Sequence, residues 1–375
     1  MKKGWEYKSL NDLCSIVGRI GFRGYTKEDL VSNPDDGAIT LSPSNIVDGE
    51  LVFSKCSYIN WKKYEESPEI MLKSGDVVLV KTASIGKCAV VRNLPHKATL
   101  NPQFVVLKDL KVNPEFITYY LKTPSTQSQI VKMAGGVAIP TLSQKKLGTL
   151  NIPVPPLSEQ KEIVEYLDSS FAKIDKLKEN AAKNLEEAKA LFQSALKDAL
   201  EPKEEWEEKT LIKEFSLKSG DNLSAKKQIK GPYDVYGGNG VTGSHIEYNL
   251  SGKNILIGRV GALCGNIHFV NAKIWVTDNA FVVKNISEHW HMDFLTYELK
   301  YLNLNQYASQ TAQPVISNKS MKDVMIMLPP LSEQQSIVSH LDSLSEKVNS
   351  LQQNYSRICD ECDALKQAIL RQVFE

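Results

Sequence analysis

The six-residue sequence Pro-Pro-Leu-Ser-Glu-Gln occurs twice in this chain, at residues 155–160 and again at residues 329–334. The agreement extends beyond the motif, because residues 163–169 share most of their positions with residues 337–343. A repeat at a fixed offset indicates that one supersecondary unit occurs more than once, which constrains the whole fold. We therefore expect two similar halves within the 375 residues.

Other features recur in the same order in both halves. Trp-Glu-Tyr-Lys-Ser-Leu at residues 5–10 returns as Trp-Glu-Glu-Lys-Thr-Leu at 206–211, which marks where each half begins. Two shorter matches follow: Ser-Gly at 74–75 and 251–252, and Phe-Val-Val at 104–106 and 281–283. The repeat predicts four segments: globular domains at 1–157 and 203–331, followed by helices at 158–202 and 332–375, respectively.

The globular domains are predicted to be α+β. Their apolar runs are short, rich in Val and Ile, and bounded by Gly, Asn and Asp, which are strand and turn signals. Predicted strands lie at 77–80, 89–91, 104–107, 255–257, 267–270 and 281–283. Helical patterns occur at 114–122 and 293–302. Each domain is therefore expected to have a curved sheet at its centre.

The helical segments carry a long apolar repeat. In the second segment, apolar side chains alternate in steps of four and three, as in a coiled-coil seam, at Ile337, Leu341, Leu344, Val348, Leu351, Tyr355, Ile358, Cys362, Leu365 and Ile369. The first segment, in the same phase, has a smaller and more polar seam at Ile163, Leu167, Ser170, Ile174, Leu177, Ala181, Asn184, Ala188, Leu191 and Ala195. Ser158 and Ser332 are expected to cap the helices, and the following glutamates to favour the positive helix ends.

A small seam and a bulky seam of equal length suit each other better than either suits a copy of itself. The helices are therefore predicted to form an antiparallel coiled coil within one chain. The predicted facing pairs are Ile163 with Ile369, Ile174 with Ile358, Ala181 with Leu351, and Leu191 with Leu341. The alternative is that each helix lies separately on its own domain, although ten seam positions exceed what a domain surface usually requires.

The composition is that of a folded globular protein. Hydrophobic residues make up 42% of the chain and charged residues 24%, without a biased tract that would favour disorder. The first residues are not followed by an apolar signal segment, and no window approaches the roughly 18 apolar residues of a membrane helix. A cytoplasmic location is therefore expected.

The net charge of +1 conceals an uneven distribution. Residues 1–157 hold 20 Lys and Arg against 14 Asp and Glu, whereas residues 158–202 hold 7 against 10. The second half repeats the trend, with 14 against 13 in 203–331 and 4 against 7 in 332–375. A phosphate-facing surface is therefore expected on the globular domains, and ordinary charge scatter is the alternative.

The sequence contains no complete catalytic or metal-binding motif. Asn-Pro-Gln-Phe at 101–104 resembles the Asn-Pro-Pro-Tyr/Phe motif of amino-group DNA methyltransferases, but Gln103 replaces the second proline and no Gly-rich cofactor loop precedes it. Cys359 and Cys362 have metal-ligand spacing without a second Cys/His pair, and the His-Trp-His of 289–291 lacks further ligands nearby. Neither a catalytic nor a metal site is therefore expected.

The combination of motifs resembles a known family. Besides the doubled Pro-Pro-Leu-Ser-Glu-Gln, the chain contains Tyr-Asp-Val-Tyr-Gly-Gly-Asn-Gly at 233–240 and Gly-Arg-Val-Gly-Ala-Leu-Cys-Gly at 258–265. Together these closely resemble the specificity subunit of type I restriction-modification systems, HsdS, over essentially the whole chain. The resemblance implies two target-recognition domains separated by an antiparallel coiled coil of two spacer helices.

The resemblance also implies partners and a division of labour. Such a subunit reads a bipartite target in double-stranded DNA and recruits two methyltransferase subunits and, through them, the restriction subunits. It has no catalytic activity and binds no cofactor itself, since S-adenosylmethionine belongs to the methyltransferase partner, and ATP and Mg to the restriction partner. A helical rise of about 1.5 Å over some 40 residues would set roughly 60 Å between the two readers.

Base contacts are expected from polar or basic side chains in loops that flank the predicted strands, because such side chains reach groove edges and phosphates. In the first domain the candidates are Arg19, Arg23, Ser44, Asn45, Lys81, Ser84 and Lys87. In the second domain they are Tyr236, Asn239, Thr242, Arg259 and Gln313, the last in the loop 310–314. For each residue, the alternative is an ordinary solvated turn.

Two other classes of function stay open from the sequence. One is a coiled-coil adaptor that joins two proteins through duplicated domains without touching DNA. The other is an enzyme whose site is assembled from residues distant in the sequence. DNA binding in the presence of a methyltransferase partner would exclude the adaptor, and methylation or cleavage by the chain alone would reveal the enzyme.

Overall fold

The computed structural model of the chain comprises two compact units. The first unit contains Met1–Asn180 together with Arg357–Glu375, and the second contains Ala181–Ser356. The structure describes residues 4–135, 140–309 and 313–375. Each unit combines one globular domain with part of each of the two long helices.

The first unit is built from short strands and helices and from parts of both long helices. Its strands are β1 (Glu6–Ser9), β2 (Ser15–Val17), β3 (Leu30–Val31), β4 (Gly37–Leu41), β5 (Ile46–Val47), β6 (Glu50–Leu51), β7 (Ser57–Asn60), β8 (Val77–Val80), β9 (Cys88–Val90), β10 (Ala98–Leu100), β11 (Phe104–Lys108) and β12 (Asn151–Val154). Its helices are α1 (Leu10–Leu13), α2 (Trp61–Glu65), α3 (Pro114–Leu121), α4 (Pro124–Met133), α5 (Gln144–Gly148) and α6 (Leu157–Ala199), which continues into the second unit. Short 3-10 helices lie at Gly21–Arg23, Lys27–Asp29, Pro34–Asp36, Pro43–Asn45 and Pro68–Ile70.

The second unit repeats this plan with fewer elements. Its strands are β13 (Glu207–Thr210), β14 (Ser216–Ser219), β15 (Tyr233–Gly237), β16 (Gly240–His245), β17 (Lys253–Gly258), β18 (Ile267–Asn271), β19 (Trp275–Val276), β20 (Ala280–Lys284) and β21 (Met325–Leu328). Its helices are α7 (Leu211–Glu214), α8 (Met292–Tyr301) and α9 (Leu331–Phe374), with 3-10 helices at Ala225–Lys227 and Leu304–Tyr307. Within the described ranges, no helix is long and apolar enough to cross a membrane. The predicted α+β class with an internal repeat and two long helices is confirmed.

The central sheet has the same strand order in both units. It is β2-β11-β8-β9 in the first unit and β14-β20-β17-β18 in the second, with antiparallel neighbours throughout. A ribbon pairs the first and last strands of each domain, β1 with β12 and β13 with β21. A second sheet has the order β10-β4-β7-β3 in the first unit and β16-β15-β19 in the second. It contains one parallel pair in each unit, β10 with β4 and β15 with β19. The repeat in the sequence is therefore a repeat of topology.

The central strands β11 and β20 correspond in a register that differs from the sequence match. Phe104 pairs with Val80, the last residue of β8, and Ala280 pairs with Gly258, the last residue of β17. Val80 and Gly258 are therefore equivalent positions. Phe104 and Ala280 face the second sheet, whereas Phe281 faces the helices. A shift of one residue moves a side chain to the opposite face of a sheet. The Phe-Val-Val match is therefore wrong as a structural equivalence, and Phe104 corresponds to Ala280.

The core of each unit lies on both faces of its central sheet. On the helical face of the first unit, Val105 packs in one cluster with Phe116 of α3 and Phe374 of α9. The equivalent cluster of the second unit includes Leu196 of α6 and Leu341 of α9. Burying each such side chain contributes about 1.5–3 kcal/mol. The long helices are thus part of the domain cores and not only connections.

The repeated glutamine fixes a long helix to the domain of its unit. Oε1 of Gln160 accepts the backbone N–H of Asn113 at 2.8 Å, and Oε1 of Gln334 accepts that of His291 at 2.7 Å. Both side chains are buried and donate to the carbonyl of the first proline of their motif, at 2.8 and 2.9 Å. Asn113 and His291 immediately precede α3 and α8. The amide therefore ties the start of a long helix to the start of a domain helix.

The glutamate of the motif binds the tryptophan that begins each half. Nε1 of Trp5 donates to Glu159 at 2.8 Å, and Nε1 of Trp206 donates to Glu333 at 3.0 Å. Each indole ring lies edge-on to a phenylalanine of the domain helix, with centroids 6.4 and 6.3 Å apart. The indole thereby connects the first strand of a domain to the helix that follows its last strand.

A tyrosine–aspartate bond completes this set of contacts. The hydroxyl of Tyr119 donates to Asp168 in the first unit, and that of Tyr297 donates to Asp342 at 2.7 Å in the second. We call the Trp–Glu, Gln–backbone and Tyr–Asp contacts of each unit the clasp. The clasp explains why the longest match between the halves covers the start of each long helix.

The predicted serine caps are wrong. The long helices begin at Leu157 and Leu331, so Ser158 and Ser332 lie inside the first turn. The first helical hydrogen bond is instead accepted by a proline carbonyl, that of Pro156 in the first unit, from the motif glutamine at 3.0 Å. Proline is tolerated there because the start of a helix does not use its own N–H. Both glutamates do lie in the first turn, as predicted.

The parts of α6 and α9 within the first unit run antiparallel, as predicted. Two ion pairs set the direction: Lys178 with Asp363 at 2.6 Å, and Asp175 with Lys366 at 2.5 Å. The sulfur of Cys362 lies 4.0 Å from the carbonyl oxygen of Ile174. Ile174 was expected to face Ile358, so the predicted register is wrong by at least one helical turn.

The predicted heptad seam is buried or half-buried at eight of its ten positions on α9 and at seven of its ten positions on α6. An eleven-residue spacing also recurs among the buried or half-buried side chains, at Ile163, Ile174, Leu185 and Leu196, and at Ile337, Val348, Cys359 and Leu370. Eleven residues in three turns give 3.67 residues per turn, close to the 3.6 of a straight α-helix, whereas a heptad requires 3.5. The predicted seam therefore holds at most positions, and the eleven-residue spacing accounts for the buried Leu185, Leu196 and Leu370 outside it.

Four leucines of the predicted seam are exposed. Leu177 and Leu365 in the first unit are 57% and 47% exposed, and Leu191 and Leu351 in the second are 66% and 40% exposed. The predicted pair of Leu191 with Leu341 is therefore wrong, since Leu191 is exposed and Leu341 is fully buried, whereas the pair of Ala181 with Leu351 stays a prediction. Besides Leu157 and Leu331 at the helix starts, each unit thus presents one exposed leucine on each long helix.

A buried carboxyl group distinguishes the two domain helices. Glu298 on α8 is 2% exposed, and its Oε1 accepts the backbone N–H of Met327 at 3.1 Å. Its Oε2 has no hydrogen-bond partner among the described residues. Counted from the clasp tyrosine, the equivalent position on α3 is Tyr120, whose hydroxyl donates to a backbone carbonyl at 3.0 Å. Burial raises the pKa of Glu298 to about 7.

The clasp glutamine predicts a specific loss of stability. Replacing Gln334 by Met keeps the volume but leaves a buried N–H and two carbonyls without partners, each of which costs about 1–3 kcal/mol. We expect Gln334→Met to destabilise the second unit by about 2–5 kcal/mol, measured by urea unfolding. Gln335→Met, at the exposed neighbouring position, is the matched control and should change stability by less than about 0.5 kcal/mol. Equal effects of the two substitutions would contradict the clasp.

The buried carboxyl group predicts a pH-dependent stability. Because the pKa of Glu298 is raised from 4.5 in the unfolded chain to about 7, its contribution is full below pH 4.5 and is lost as the pH rises through 7. Glu298→Gln should remove this decline and raise stability above pH 7 by up to about 3 kcal/mol. Unfolding midpoints at pH 5 to 9 measure it, with the exposed Glu288→Gln as control. The same pH profile in both variants would contradict the assignment.

Candidate nucleic-acid interface

Three loops meet at one end of the sheets in each unit. They follow β4, β8 and β10 at residues 42–45, 81–87 and 101–103, and they follow β15, β17 and β19 at 238–239, 259–266 and 277–279. We call these segments the strand-end loops. Backbone N–H groups join them: Lys81 to Gln103 at 2.7 Å, Asn101 to Leu41 at 3.0 Å, Arg259 to Asn279 at 2.9 Å and Thr277 to Tyr236 at 2.9 Å. Because these bonds use the backbone, the arrangement tolerates different side chains in the two units.

Glycines allow the loops to approach one another closely. A Cβ atom on Gly258 would lie 2.0 Å from the carbonyl oxygen of Gly238, and one on Gly238 would lie 2.5 Å from that of Val260. Gly86 and Gly265 occupy equivalent bends with φ of +92° and +90°, which favour glycine. Backbone contact therefore explains Gly238 of the Gly-Gly segment and Gly258 of the Gly-Arg-Val-Gly segment, and a φ of +101° explains Gly261.

Arg19 and Arg23 lie beside the strand-end loops and are engaged within the first unit. Arg19 is buried, and its guanidinium donates to the carbonyl of Leu100 at 3.1 Å and to the hydroxyl of Thr99 at 3.4 Å. Burial lowers the pKa of Arg19. Arg23 forms an ion pair with Glu69 at 3.4 Å. These bonds account for both arginines without DNA, and a DNA contact by either stays a prediction.

Ser44 and Asn45 follow β4 in a 3-10 turn. Asn45 is buried, its Oδ1 accepts the backbone N–H of Ser42 at 2.9 Å, and its Nδ2 donates to the carbonyl of Val52 at 3.1 Å. Ser44 is exposed, and its hydroxyl lies 2.7 Å from that of Ser42. Asn45 thus holds the turn that presents Ser44.

Lys81, Ser84 and Lys87 lie together in the loop between β8 and β9. Ser84 and Lys87 are exposed, whereas Lys81 is half-buried and burial lowers its pKa. Ala83 between them has a φ of +65°, a strained value for a residue with a Cβ atom. The structure therefore brings three predicted site residues into one bent loop.

Arg259 and Tyr236 occupy the corresponding strand ends of the second unit. Nη1 of Arg259 donates to the hydroxyl of Ser219 and to the carbonyl of Asp278, both at 3.3 Å. Tyr236 is half-buried, with its ring 6.1 Å from that of His268, and burial raises its pKa. Arg259 is the structural counterpart of Lys81, so the two predicted cations share one position.

Asn239, Thr242 and Gln313 are exposed. Oδ1 of Asn239 accepts from Nδ2 of Asn266 at 3.0 Å, which links the loops after β15 and β17. The hydroxyl of Thr242, on β16, donates to the carbonyl of Val235 at 3.2 Å. Gln313 follows residues 310–312 of its loop, which lie outside the described residues.

The sequence prediction missed the amides of the third strand-end loop. Gln103 and Asn279 lie beside Lys81 and Arg259 through the backbone bonds above. The sequence did contain a signal for Gln103, because this residue lies within the Asn-Pro-Gln-Phe segment that resembles a methyltransferase motif. Asn279 had none, because the match of the flanking strands was displaced by one residue. Together the loops present hydroxyl, amide and cationic groups, which can read base edges and hold phosphates.

In the ranges that the structure describes, no group of three or more His, Cys, Asp or Glu side chains is placed to hold a metal ion. The two cysteines with metal-ligand spacing lie on α9, where Cys362 is buried against α6. Packing therefore accounts for Cys362.

Comparison with known proteins gives one consistent result. The family model described as "Type I restriction modification DNA specificity domain" matches residues 2–187 and again residues 203–358. The EcoKI specificity subunit of Escherichia coli (strain K12) is 21% identical over 419 aligned positions, which cover 100% of this chain and 89% of that protein. The EcoprrI specificity subunit of Escherichia coli is 32% identical over 163 residues, which cover 42% of this chain and 40% of that protein.

Solved structures agree on the fold. A chain from a structure concerned with complex assembly and conformational transition of the type I R-M system aligns with a TM-score of 0.76 at 20% identity, covering 100% of this chain and 98% of that chain. The HsdS subunit from Thermoanaerobacter tengcongensis aligns with a TM-score of 0.56 at 20% identity, covering 100% and 97%.

Proposed function

The chain belongs to the family of type I restriction-modification DNA specificity subunits, and on that premise we propose that it reads a bipartite target in double-stranded DNA. The duplicated strand-end loops carry this proposal. Lys81 in the first unit and Arg259 in the second occupy the same strand end, beside an amide on the neighbouring turn. Two readers of equal architecture suit two half-sites on one duplex.

Readout of each half-site is assigned to the strand-end loops of one unit. Lys and Arg side chains would hold the register on phosphates, and the exposed Ser44, Ser84 and Asn239 would contribute to contacts with base edges. Each set of loops rests on its own core. The two half-sites should therefore be read independently.

The chain is proposed to contribute recognition and no catalysis. The Asn-Pro-Gln-Phe segment that resembles a methyltransferase motif is used as a turn, in which the amide of Asn101 is bonded to Gln103. Methyl transfer from S-adenosylmethionine is assigned to methyltransferase partners, and ATP- and Mg-dependent cleavage to restriction subunits that join through them. The chain itself would bind neither cofactor.

The methyltransferase partners are assigned to the exposed leucines of the long helices. Leu177 and Leu365 lie close to the two ion pairs that join α6 and α9 in the first unit. Leu191 and Leu351 are the corresponding exposed leucines of the second unit. Exposed leucines on a helix pair suit an apolar partner face. Two such sites, one in each unit, would bind two methyltransferase subunits.

Exchange of one domain tests the bipartite reading. Replacing residues 203–331 by the equivalent part of a related subunit that keeps the clasp residues should change one half-site and leave the other unchanged. The physical reason is that the strand-end loops of the two units rest on separate cores. Sequencing of methylated positions in DNA treated with the complete methyltransferase complex gives the result.

Two results would contradict this proposal. A contiguous motif, or a change of both half-sites after the exchange, would exclude independent readers. Methyl transfer by the purified chain without any partner subunit would exclude the non-catalytic role. A gel-shift assay with the wild-type complex is the control, because an adaptor that never touches DNA would give no shift.

The exposed leucines predict partner stoichiometry. The double variant Leu177→Glu with Leu365→Glu should weaken one methyltransferase site by about 10- to 100-fold, since charges replace apolar contacts at the centre of an interface. Native mass spectrometry should then show one methyltransferase subunit per chain in place of two. Folding should change little, because both side chains are exposed.

A matched control separates this site from a general effect of added charge. Val131→Glu introduces the same charge at a 59% exposed position on α4 of the same unit. This variant should keep two methyltransferase subunits. Unchanged stoichiometry in the leucine variant would exclude Leu177 and Leu365 from the partner site.

A further inference from the structure

The turns at 101–103 and 277–279 place a side-chain amide at the same position in both units. Gln103 and Asn279 each directly precede a central strand, β11 or β20. The carbonyl of each accepts the backbone N–H of the basic residue that ends the neighbouring strand, Lys81 at 2.7 Å or Arg259 at 2.9 Å. Gln103 is half-buried and Asn279 is exposed. Each amide therefore lies beside a basic residue in a fixed backbone frame.

Asn101 orients the amide of the first unit. Its Oδ1 accepts the backbone N–H of Gln103 at 2.9 Å, and its Nδ2 donates to Oε1 of Gln103 at 3.0 Å. An amide oxygen has a second lone pair, and an amide nitrogen has two N–H donors. Gln103 is thus oriented and still able to accept and donate. Pre-orientation reduces the conformational entropy that a mobile glutamine would lose on binding.

The turn of the second unit is fixed by different side chains. The hydroxyl of Thr277 accepts the backbone N–H of Asn279 at 3.4 Å, and the guanidinium of Arg259 donates to the carbonyl of Asp278 at 3.3 Å. The carboxylate of Asp278 accepts from Nδ2 of Asn222 at 3.1 Å. The negative charge in this turn is therefore hydrogen-bonded within the unit.

A buried arginine supports the turn of the first unit in a similar way. The guanidinium of Arg19 donates to the carbonyl of Leu100 and to the hydroxyl of Thr99, the two residues directly before the turn. Arg19 is therefore a positioning residue for Gln103. Both turns are held from one side by an arginine and presented at the end of the sheets.

We propose that Gln103 and Asn279 are specificity-determining residues and that each reads one adenine of its half-site. An Asn or Gln amide pairs with the N6 and N7 positions of adenine in the major groove, accepting one hydrogen bond and donating another. Lys81 and Arg259 would then lie on the adjacent phosphates. This inference rests on the proposed function, since it names the residues that read the bipartite target.

Variants of the two amides test the inference in the complete methyltransferase complex. Complexes that carry Gln103→Ala or Asn279→Ala are allowed to methylate genomic DNA, and the methylated motif is read by sequencing. Each variant should relax one A·T position in one half-site, with roughly 10- to 100-fold loss of discrimination there. The other half-site should stay unchanged, and the two variants should affect different half-sites.

Asn271→Ala is the matched control. Asn271 is an exposed amide at the end of β18 in the central sheet of the same unit, paired with Lys253 at the end opposite to the strand-end loops. Its removal should leave the motif unchanged. Relaxation of the same base by Asn271→Ala and Asn279→Ala would overturn the assignment, since it would show a general effect on the domain.

An unchanged methylated motif overturns the inference even if methylation is slower. Slower methylation of the same motif would indicate that the amide has a structural role or contacts a DNA phosphate. If an alanine variant gives no methylation, Gln103→Asn and Asn279→Gln change only the reach of the amide, and an unchanged motif in these variants overturns the inference. Relaxation at a G·C position overturns the choice of adenine. A wild-type complex that methylates no bipartite motif overturns the proposed function and the inference with it.

Discussion

The buried glutamine of the clasp is the interaction on which each unit depends. Gln160 and Gln334 satisfy backbone groups at the start of a domain helix and at the start of a long helix with one side chain. A buried amide that lost these partners would leave several polar groups unpaired, which costs more than the net gain of any one bond. The orientation of a domain on its helix is therefore specified by polar contacts, while apolar packing supplies most of the stability.

The sequence was sufficient to predict the two long helices and most of their buried seam, but it misplaced several leucines. Leu177 and Leu191 fit a heptad that begins at Ile163, but the helix buries Leu185 and Leu196 instead. A heptad and an eleven-residue spacing coincide over the first turns and diverge by about 20° per heptad. The alanines near the middle of α6 fit both the heptad and the eleven-residue spacing. The apolar pattern alone could therefore not distinguish the two spacings. Only the packing partner decides which phase is buried.

The candidate site was predicted at the level of loops and less well at the level of side chains. The position beside predicted strands selected Lys81, Ser84 and Lys87, which lie in one strand-end loop, and their contact with DNA stays a prediction. It could not distinguish Arg19, whose guanidinium is bonded to the backbone inside the domain, from an arginine available to a ligand. Burial of a polar side chain depends on contacts across the fold, which the local sequence does not contain. A displaced strand match hid Asn279 for the same reason.

The two halves share the backbone bonds that position the strand-end loops, and they differ in the side chains that these loops carry. The backbone bonds that join the strand-end loops are the same in both units, although Lys81 is matched by Arg259 and Gln103 by Asn279. A buried polar contact can also change, since Lys108 binds Asp76 at 2.6 Å, whereas its counterpart Lys284 binds an asparagine at 3.1 Å. Because main-chain geometry positions the loops, their side chains are free to vary without disturbing the clasp. A duplicated scaffold of this kind can therefore read two different sequences.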